Sequence, residues 1–154
     1  MQNHIKTETR LAFIQFIFSS LFSDSTVEEN SNDFENYFYK LSVSTFEQKH
    51  ETSINFNKNY FKKLAKSYDE FVKYNNVEEI INSIIKFDRT FENWDQINKS
   101  IILCIFSEVE ITKKEKVKIL LNDYMNISKT LIPKKDLSMI NAITDKYLSD
   151  RKIL

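Results

Sequence analysis

The chain has 154 residues, 42% hydrophobic and 29% charged, which is typical of a globular protein that buries a sizeable core and excludes a disordered one. Its 22 Lys and Arg residues equal its 22 Asp and Glu residues, so a nucleic-acid site would require local clustering of basic side chains. The absence of glycine excludes the phosphate-binding glycine loops of P-loop and dinucleotide-binding proteins.

Apolar residues at helical spacing predict helices in the first half of the chain. The first is predicted over residues 5–22, followed by a polar, acidic loop over 23–33. A second helix is predicted over 34–50, a third over 59–74 and a short fourth over 77–87. The predicted buried stripe of the first helix consists of Leu11, Ile14, Phe18 and Leu21, widened by Phe13, Ile17 and Phe22.

Two capping patterns predict where the next helices begin. Asn76 with Glu79 resembles a capping box for the fourth helix, and Asn93 with Gln96 repeats the pattern before a fifth helix over 94–109. The apolar belt of that fifth helix is so wide that we expect it to be buried on most sides. A strand is an alternative for its run IILCIF, but the polar start, the length and the helical neighbours favour a helix.

The C-terminal third predicts two more helices around the only proline. Thr112 and Glu115 form an S/T-x-x-E capping box for a sixth helix. One side of that helix would carry an edge of polar residues, Lys118, Asn122, Asn126 and Lys129. Pro133 suits the first position of a seventh helix. Lys134 and Lys135 lie in its opening turn, where their positive charges oppose the helix dipole. Residues 1–154 therefore predict one all-α domain, a compact bundle of about seven amphipathic helices.

The sequence contains no pattern typical of an enzyme. His4 and His50 lie in terminal or loop segments without metal-ligand spacing or a nucleophile–base signature, so we predict no catalytic residue, metal or cofactor. Cys104 stands alone in an apolar run and is expected to be a buried small hydrophobe. With no leader sequence and no apolar run of about 20 residues, a cytoplasmic protein without a membrane span is expected.

The C-terminal third also resembles a known family. LNDYMNISK, continued without a gap to INAITDK, resembles the NusB family's pattern of an INEA-type helix, an LAK-type end and an FVNGVLDK-type last helix. The matching positions are Asn122, Asp123, Lys129, Asn141, Asp145 and Lys146. The resemblance extends back through the fifth helix, at Ile97, Lys99, Ile101 and Glu108, and to YFKKL at 60–64. In the first helix, Arg10 and Gln15 match.

This resemblance implies a NusB-like, all-helical and non-enzymatic antitermination factor. Such a protein binds the boxA element of nascent RNA together with the small-subunit ribosomal protein called NusE, and acts on the transcription complex through them. The implied RNA contacts are Lys6, Arg10, Gln15, Phe18, Lys134, Lys135, Met139 and Asn141. The implied contacts with the partner protein lie near Glu92 and Asn98.

The sequence departs from the family where RNA would bind. The N-terminal arginine cluster is reduced to Lys6 and Arg10, with Glu8 between them, and the phenylalanine of the last helix is Met139. Fewer phosphate contacts predict weaker RNA binding with a flatter salt dependence. Lys6 and Arg10 alone also fit a solvated first turn above core aromatics. The alternative function is therefore a helical protein-interaction module of the same fold that has lost RNA binding.

Overall fold

The regular structure of the described residues is entirely helical. The computed structural model describes residues 2–34, 56–84 and 91–153, and these ranges hold seven α-helices, two 3-10 turns and no strand. The helices are α1 (Asn3–Ser20), α2 (described over 27–34), α3 (Lys58–Tyr74), α4 (Val77–Ile84), α5 (Gln96–Val109), α6 (Val117–Ser128) and α7 (Lys134–Asp150). The 3-10 turns are Phe91–Asn93 and Lys114–Lys116. The predicted all-α class is confirmed.

Helix α5 lies at the centre of the bundle and packs against α1, α3, α6 and α7. Eleven of its 14 residues are buried, as its wide apolar belt predicts. The run IILCIF is helical rather than extended. A helix forms its backbone hydrogen bonds internally, so it can bury side chains on several sides without a neighbouring strand. Cys104 is fully buried as predicted, and this burial raises the pKa of its thiol. In the described ranges, none of the helices combines the length and apolar composition that a bilayer-crossing segment requires.

The predicted buried stripe of α1 is partly wrong. Phe13, Ile14 and Ile17 are buried as predicted, but Leu11 and Leu21 are only partly buried, and Phe18 and Phe22 are exposed. Because α1 packs against α3, α5 and α6, its buried face is wide and includes Ala12 and Phe16, which the predicted stripe omits. The buried apolar residues of α1 are Ala12, Phe13, Ile14, Phe16 and Ile17.

The predicted loop over 23–33 is wrong in its second half, because residues 27–34 are helical. The hydroxyl of Thr26 accepts a hydrogen bond from the Glu29 backbone N–H at 3.2 Å, which is an S/T-x-x-E start signal hidden in a polar stretch. Val27 and Phe34 pack against the core and anchor this helix. Beyond Phe34, the predicted second helix over 34–50 lies outside the described residues.

The Asn76 cap is confirmed, whereas the Asn93 cap is wrong. The side chain of Asn76 accepts a hydrogen bond from the Glu79 backbone N–H at 3.1 Å and begins α4. Asn93 instead lies in a 3-10 turn, and Asp95 is the N-cap residue of α5. Helix α4 is described to Ile84, so the end of the predicted range 77–87 lies outside the described residues.

The predicted start of α6 is also wrong. The Thr112 hydroxyl donates to the Glu108 carbonyl at 2.6 Å, so it closes the end of α5 instead of capping the next helix. Helix α6 begins at Val117, after the 3-10 turn. Pro133 is the N-cap of α7 rather than its first residue, with an extended ψ of 155°. The Lys/Asn edge of α6 is exposed as predicted.

Candidate nucleic-acid interface

Three helices meet at a buried cluster of charged side chains. Arg10 of α1 donates from Nε and Nη2 to the carboxylate of Glu108 in α5, with the shortest contact at 2.6 Å. Its Nη1 donates to Asp123 of α6, also at 2.6 Å. The hydroxyls of Tyr60 and Tyr124 donate to the Glu108 oxygens at 3.0 and 2.8 Å. Glu108 therefore has a full set of donors although it has no exposure to solvent.

The cluster explains how a chain with an apolar centre tolerates a carboxylate there. An unpaired buried charge would cost several kcal/mol, whereas a paired and fully hydrogen-bonded one is tolerated. Burial alone would lower the pKa of Arg10, but the hydrogen bond and charge of Glu108 outweigh this effect and raise it. Burial and the nearby Glu108 charge raise the pKa of Tyr60 to about 12.

The expectation that Arg10 is a solvent-exposed RNA contact is wrong. The side chain is 8% exposed, and its guanidinium nitrogens donate to two internal carboxylates. The sequence shows Arg10 only as a basic residue near the start of a helix, and its partners lie 98 and 113 positions away. Arg10 thus joins α1 to α5 and α6.

An open groove of about 590 Å³ lies above this cluster. Its walls are the start of α1, the connection between α5 and α6, and one side of α6. Three lysines contribute to it, Lys6, Lys113 and Lys116, together with two exposed isoleucines, Ile111 and Ile119. Arg10 and Asp123 also line the groove, but their opposite charges are paired with each other. The lysines therefore give the groove its excess positive charge.

A run of exposed lysines surrounds α6 between Glu110 and Asp136. Residues 113–135 contain seven lysines and two carboxylates, a net charge of +5, and all seven lysines are exposed. One of the two carboxylates, Asp123, is paired with Arg10. The lysines are Lys113, Lys114, Lys116, Lys118, Lys129, Lys134 and Lys135. Local clustering of this kind is what a nucleic-acid site on a neutral protein requires.

Other residues that the resemblance implies for RNA lie on two regions of the structure. On α1, Lys6 and Gln15 are partly exposed, and exposed Phe18 packs edge-on against Phe22 with ring centroids 5.4 Å apart. On α7, Lys134, Lys135 and Asn141 are exposed, and Met139 is partly buried against the core. The structure brings Lys6 and Arg10 into the groove, whereas none of the described α7 residues lines it.

The residues implied for the partner protein give a different result. Asn98 is only 4% exposed, so the expectation of a surface contact there is wrong. It lies in the first turns of central α5, and its side-chain oxygen accepts no hydrogen bond from the described residues. Glu92 falls in the 3-10 turn before α5, but its side chain lies outside what the structure describes.

The structure also locates the histidines that the sequence set aside. His4 is exposed in the first turn of α1, and His50 lies outside the described residues. In residues 2–34, 56–84 and 91–153, no group of three or more His, Cys, Asp or Glu side chains is arranged to hold a metal ion.

Sequence reasoning missed Lys113 and Lys116 as site residues, together with Tyr60, Tyr124 and Thr7, whose hydroxyls bind the internal carboxylates. The lysines carried a signal, since a count of charges along the sequence reveals the basic stretch. A single glutamate inside the apolar belt of α5 was a second signal, because such a residue needs a buried cation.

Comparison of the chain with known protein families, with curated proteins and with solved structures found no match.

Proposed function

We propose that this chain is a NusB-like, non-enzymatic antitermination factor that binds boxA-type RNA together with the NusE ribosomal protein in the cytoplasm. The observation that carries the proposal is the contact among Arg10, Glu108 and Asp123. Each of these residues matches the NusB pattern, and each comes from a different helix. Three residues that match the NusB pattern are far apart in the sequence but meet in one buried contact. This supports an architecture shared with the NusB family.

The charge distribution supports RNA as the ligand. Lys134 and Lys135 are exposed in the first turn of α7, where two cations weaken the helix by opposing its dipole. Asp136 in the same turn partly offsets this cost. Such lysines can neutralise phosphates, and binding by phosphate neutralisation is strong at low salt and falls as salt rises. Asn141, exposed two turns along α7, can donate to or accept from bases.

For NusE, we propose the surface around the 3-10 turn Phe91–Asn93. Asn98 is buried at the start of α5, so exposed residues around the turn would make the contact.

The alternative is a protein-interaction module of this fold without RNA binding. The observation that favours it is the burial of Arg10, which removes one of the two cations expected at the start of α1. The exposed ring pair Phe18 and Phe22 would suit an apolar partner.

The two functions are separated by fluorescence anisotropy with labelled boxA-type RNA, with and without NusE. We expect the wild type to bind RNA at moderate salt, and Lys134→Glu plus Lys135→Glu to weaken this binding about ten-fold or more. The slope of log affinity against log salt concentration should fall by about 1.4, because two phosphate contacts with a single strand are lost. The control is Lys63→Glu plus Lys73→Glu, which makes the same charge change at exposed positions of α3. It should lower RNA affinity only slightly, through weaker long-range attraction. Absence of RNA binding with and without NusE would favour the alternative.

A further inference from the structure

We infer that the groove lined by Lys6, Lys113 and Lys116 binds the phosphates of single-stranded RNA and leads the strand along α6 toward the start of α7. The inference rests on the proposed RNA binding. It adds a segment of binding surface, because Lys113 and Lys116 correspond to none of the residues that the NusB resemblance implies for RNA.

The charges of the groove favour an anion. Its carboxylate, Asp123, already accepts hydrogen bonds from Arg10 and from the Thr7 hydroxyl at 2.6 and 2.8 Å. Lys113 and Lys116 are exposed on the connection between α5 and α6, and Lys6 of α1 lines the same groove. Cations from separate elements that line one groove attract a phosphate backbone more strongly than scattered surface cations, since their fields add in a confined space.

Polar residues of α6 lead from the groove toward the start of α7. Asn126 lines the groove, and its side-chain oxygen lies 3.4 Å from the Lys129 ammonium group, one turn further along α6. From Lys129 the chain turns through Pro133 into Lys134. Helix α6 has 12 residues and is therefore about 18 Å long. Lysines at its two ends can thus contact phosphates several nucleotides apart.

The extent of the basic surface favours a nucleic acid over an acidic peptide. A short acidic segment would use the groove alone, whereas exposed lysines continue beyond it to residue 135. An extended polyanion uses the whole series.

Ile111 and Ile119 are 48% and 60% exposed, and they offer apolar contact to bases or sugars. Isoleucine cannot stack on a base as an aromatic ring does, so this segment of the surface should bind the backbone with little dependence on sequence.

The test compares Lys113→Glu plus Lys116→Glu with Lys134→Glu plus Lys135→Glu, and with the α3 control Lys63→Glu plus Lys73→Glu. Anisotropy is measured with boxA-type RNA and with oligouridylate of the same length, over a salt series. All six lysines are exposed, so the variants should keep the wild-type thermal unfolding curve. We expect the groove variant to lose about ten-fold in affinity for both RNAs and to lower the salt slope by about 1.4.

The outcomes separate this inference from the proposed function. A groove variant that matches the α3 control, while the α7 variant loses RNA binding, overturns the groove and leaves the proposed function standing. Loss of oligouridylate binding in the groove variant, with no preference of the wild type for boxA-type RNA, supports the groove and contradicts the boxA function. In a competition experiment, polyglutamate of equal charge should displace labelled RNA less effectively than unlabelled RNA does. Equal displacement by the two competitors would overturn the assignment to nucleic acid.

Discussion

The protein contains two charged regions that differ in one physical respect, access to water. In the buried cluster, Arg10, Glu108 and Asp123 satisfy one another, so their charges fix the relative positions of three helices. The segment 113–135 contains seven exposed lysines and only two carboxylates, so most of the positive charge is available to a ligand. A match to a family pattern does not distinguish these roles. Burial does, because desolvation makes an unpaired charge costly in the core and tolerable at the surface.

The largest predicted effect comes from removing the cation of the buried cluster. Arg10→Met keeps much of the apolar stem but leaves Glu108 and Asp123 without their partner. We expect the free energy of unfolding, measured by urea denaturation, to fall by about 3–5 kcal/mol. The matched control is Lys146→Met, which breaks an ion pair with Asp150 whose side chains are 58% and 52% exposed.

The control should change stability by at most about 0.5 kcal/mol. Equal and small effects of Arg10→Met and Lys146→Met would show that the buried cluster does not hold the helices together. The contrast between the two charged regions would then be lost.

High pH tests the same cluster through Tyr60. Burial and the Glu108 charge raise its pKa from 10.0 to about 12, so between these values the folded protein keeps a proton that the unfolded chain releases. The stabilisation is therefore complete below pH 10 and is lost as pH rises toward 12. After allowance for solvent screening of this partly buried side chain, we expect Tyr60 to account for about 1 kcal/mol of the loss.

Urea denaturation at several pH values from 9 to 12 measures this dependence. Tyr60→Phe has no proton to lose at this position, so its stability should decline less steeply than that of the wild type. Parallel declines would mean that the folded protein does not raise the pKa of this tyrosine.

Local features of the fold were predictable from the sequence. The 3.6-residue rhythm of α3, the apolar belt of α5 and the Asn76 cap depend on neighbours within a few residues, and the structure confirms them. The errors arose where two local partners compete. Thr112 fits a capping box with Glu115, but its hydroxyl instead donates to the Glu108 carbonyl, which also accepts from the Ile111 backbone N–H at the end of α5.

The candidate site was less predictable, because it depends on contacts between distant segments. The burial of Arg10 can be predicted only if it is known that α1 packs on α5. The groove can be predicted only if it is known that the start of α1 lies beside α6. The lysines of 113–135 were visible as a charge run, but only the fold shows that Lys6 lines the same groove as Lys113.

The smallest predicted effect concerns Asp123, which belongs to both charged regions, as a partner of Arg10 and as a wall of the groove. Asp123→Asn removes a negative charge from the groove while Arg10 keeps its bonds to Glu108. At roughly 7 Å from a phosphate in a water-like medium, one charge is worth about 0.6 kcal/mol, so RNA affinity should rise about three-fold. Anisotropy measures this change, and Asp69→Asn on exposed α3 is the control.

The sign of the change is what separates two roles for Asp123. Stability should fall in Asp123→Asn, because Arg10 and Thr7 then donate to a neutral acceptor. If Asp123 acted only on the fold, affinity for RNA would fall with stability or stay the same. A protein that becomes less stable and binds RNA more tightly has an anion-binding groove beside its buried charges, since the lost carboxylate had repelled phosphates and neutralised Arg10 there.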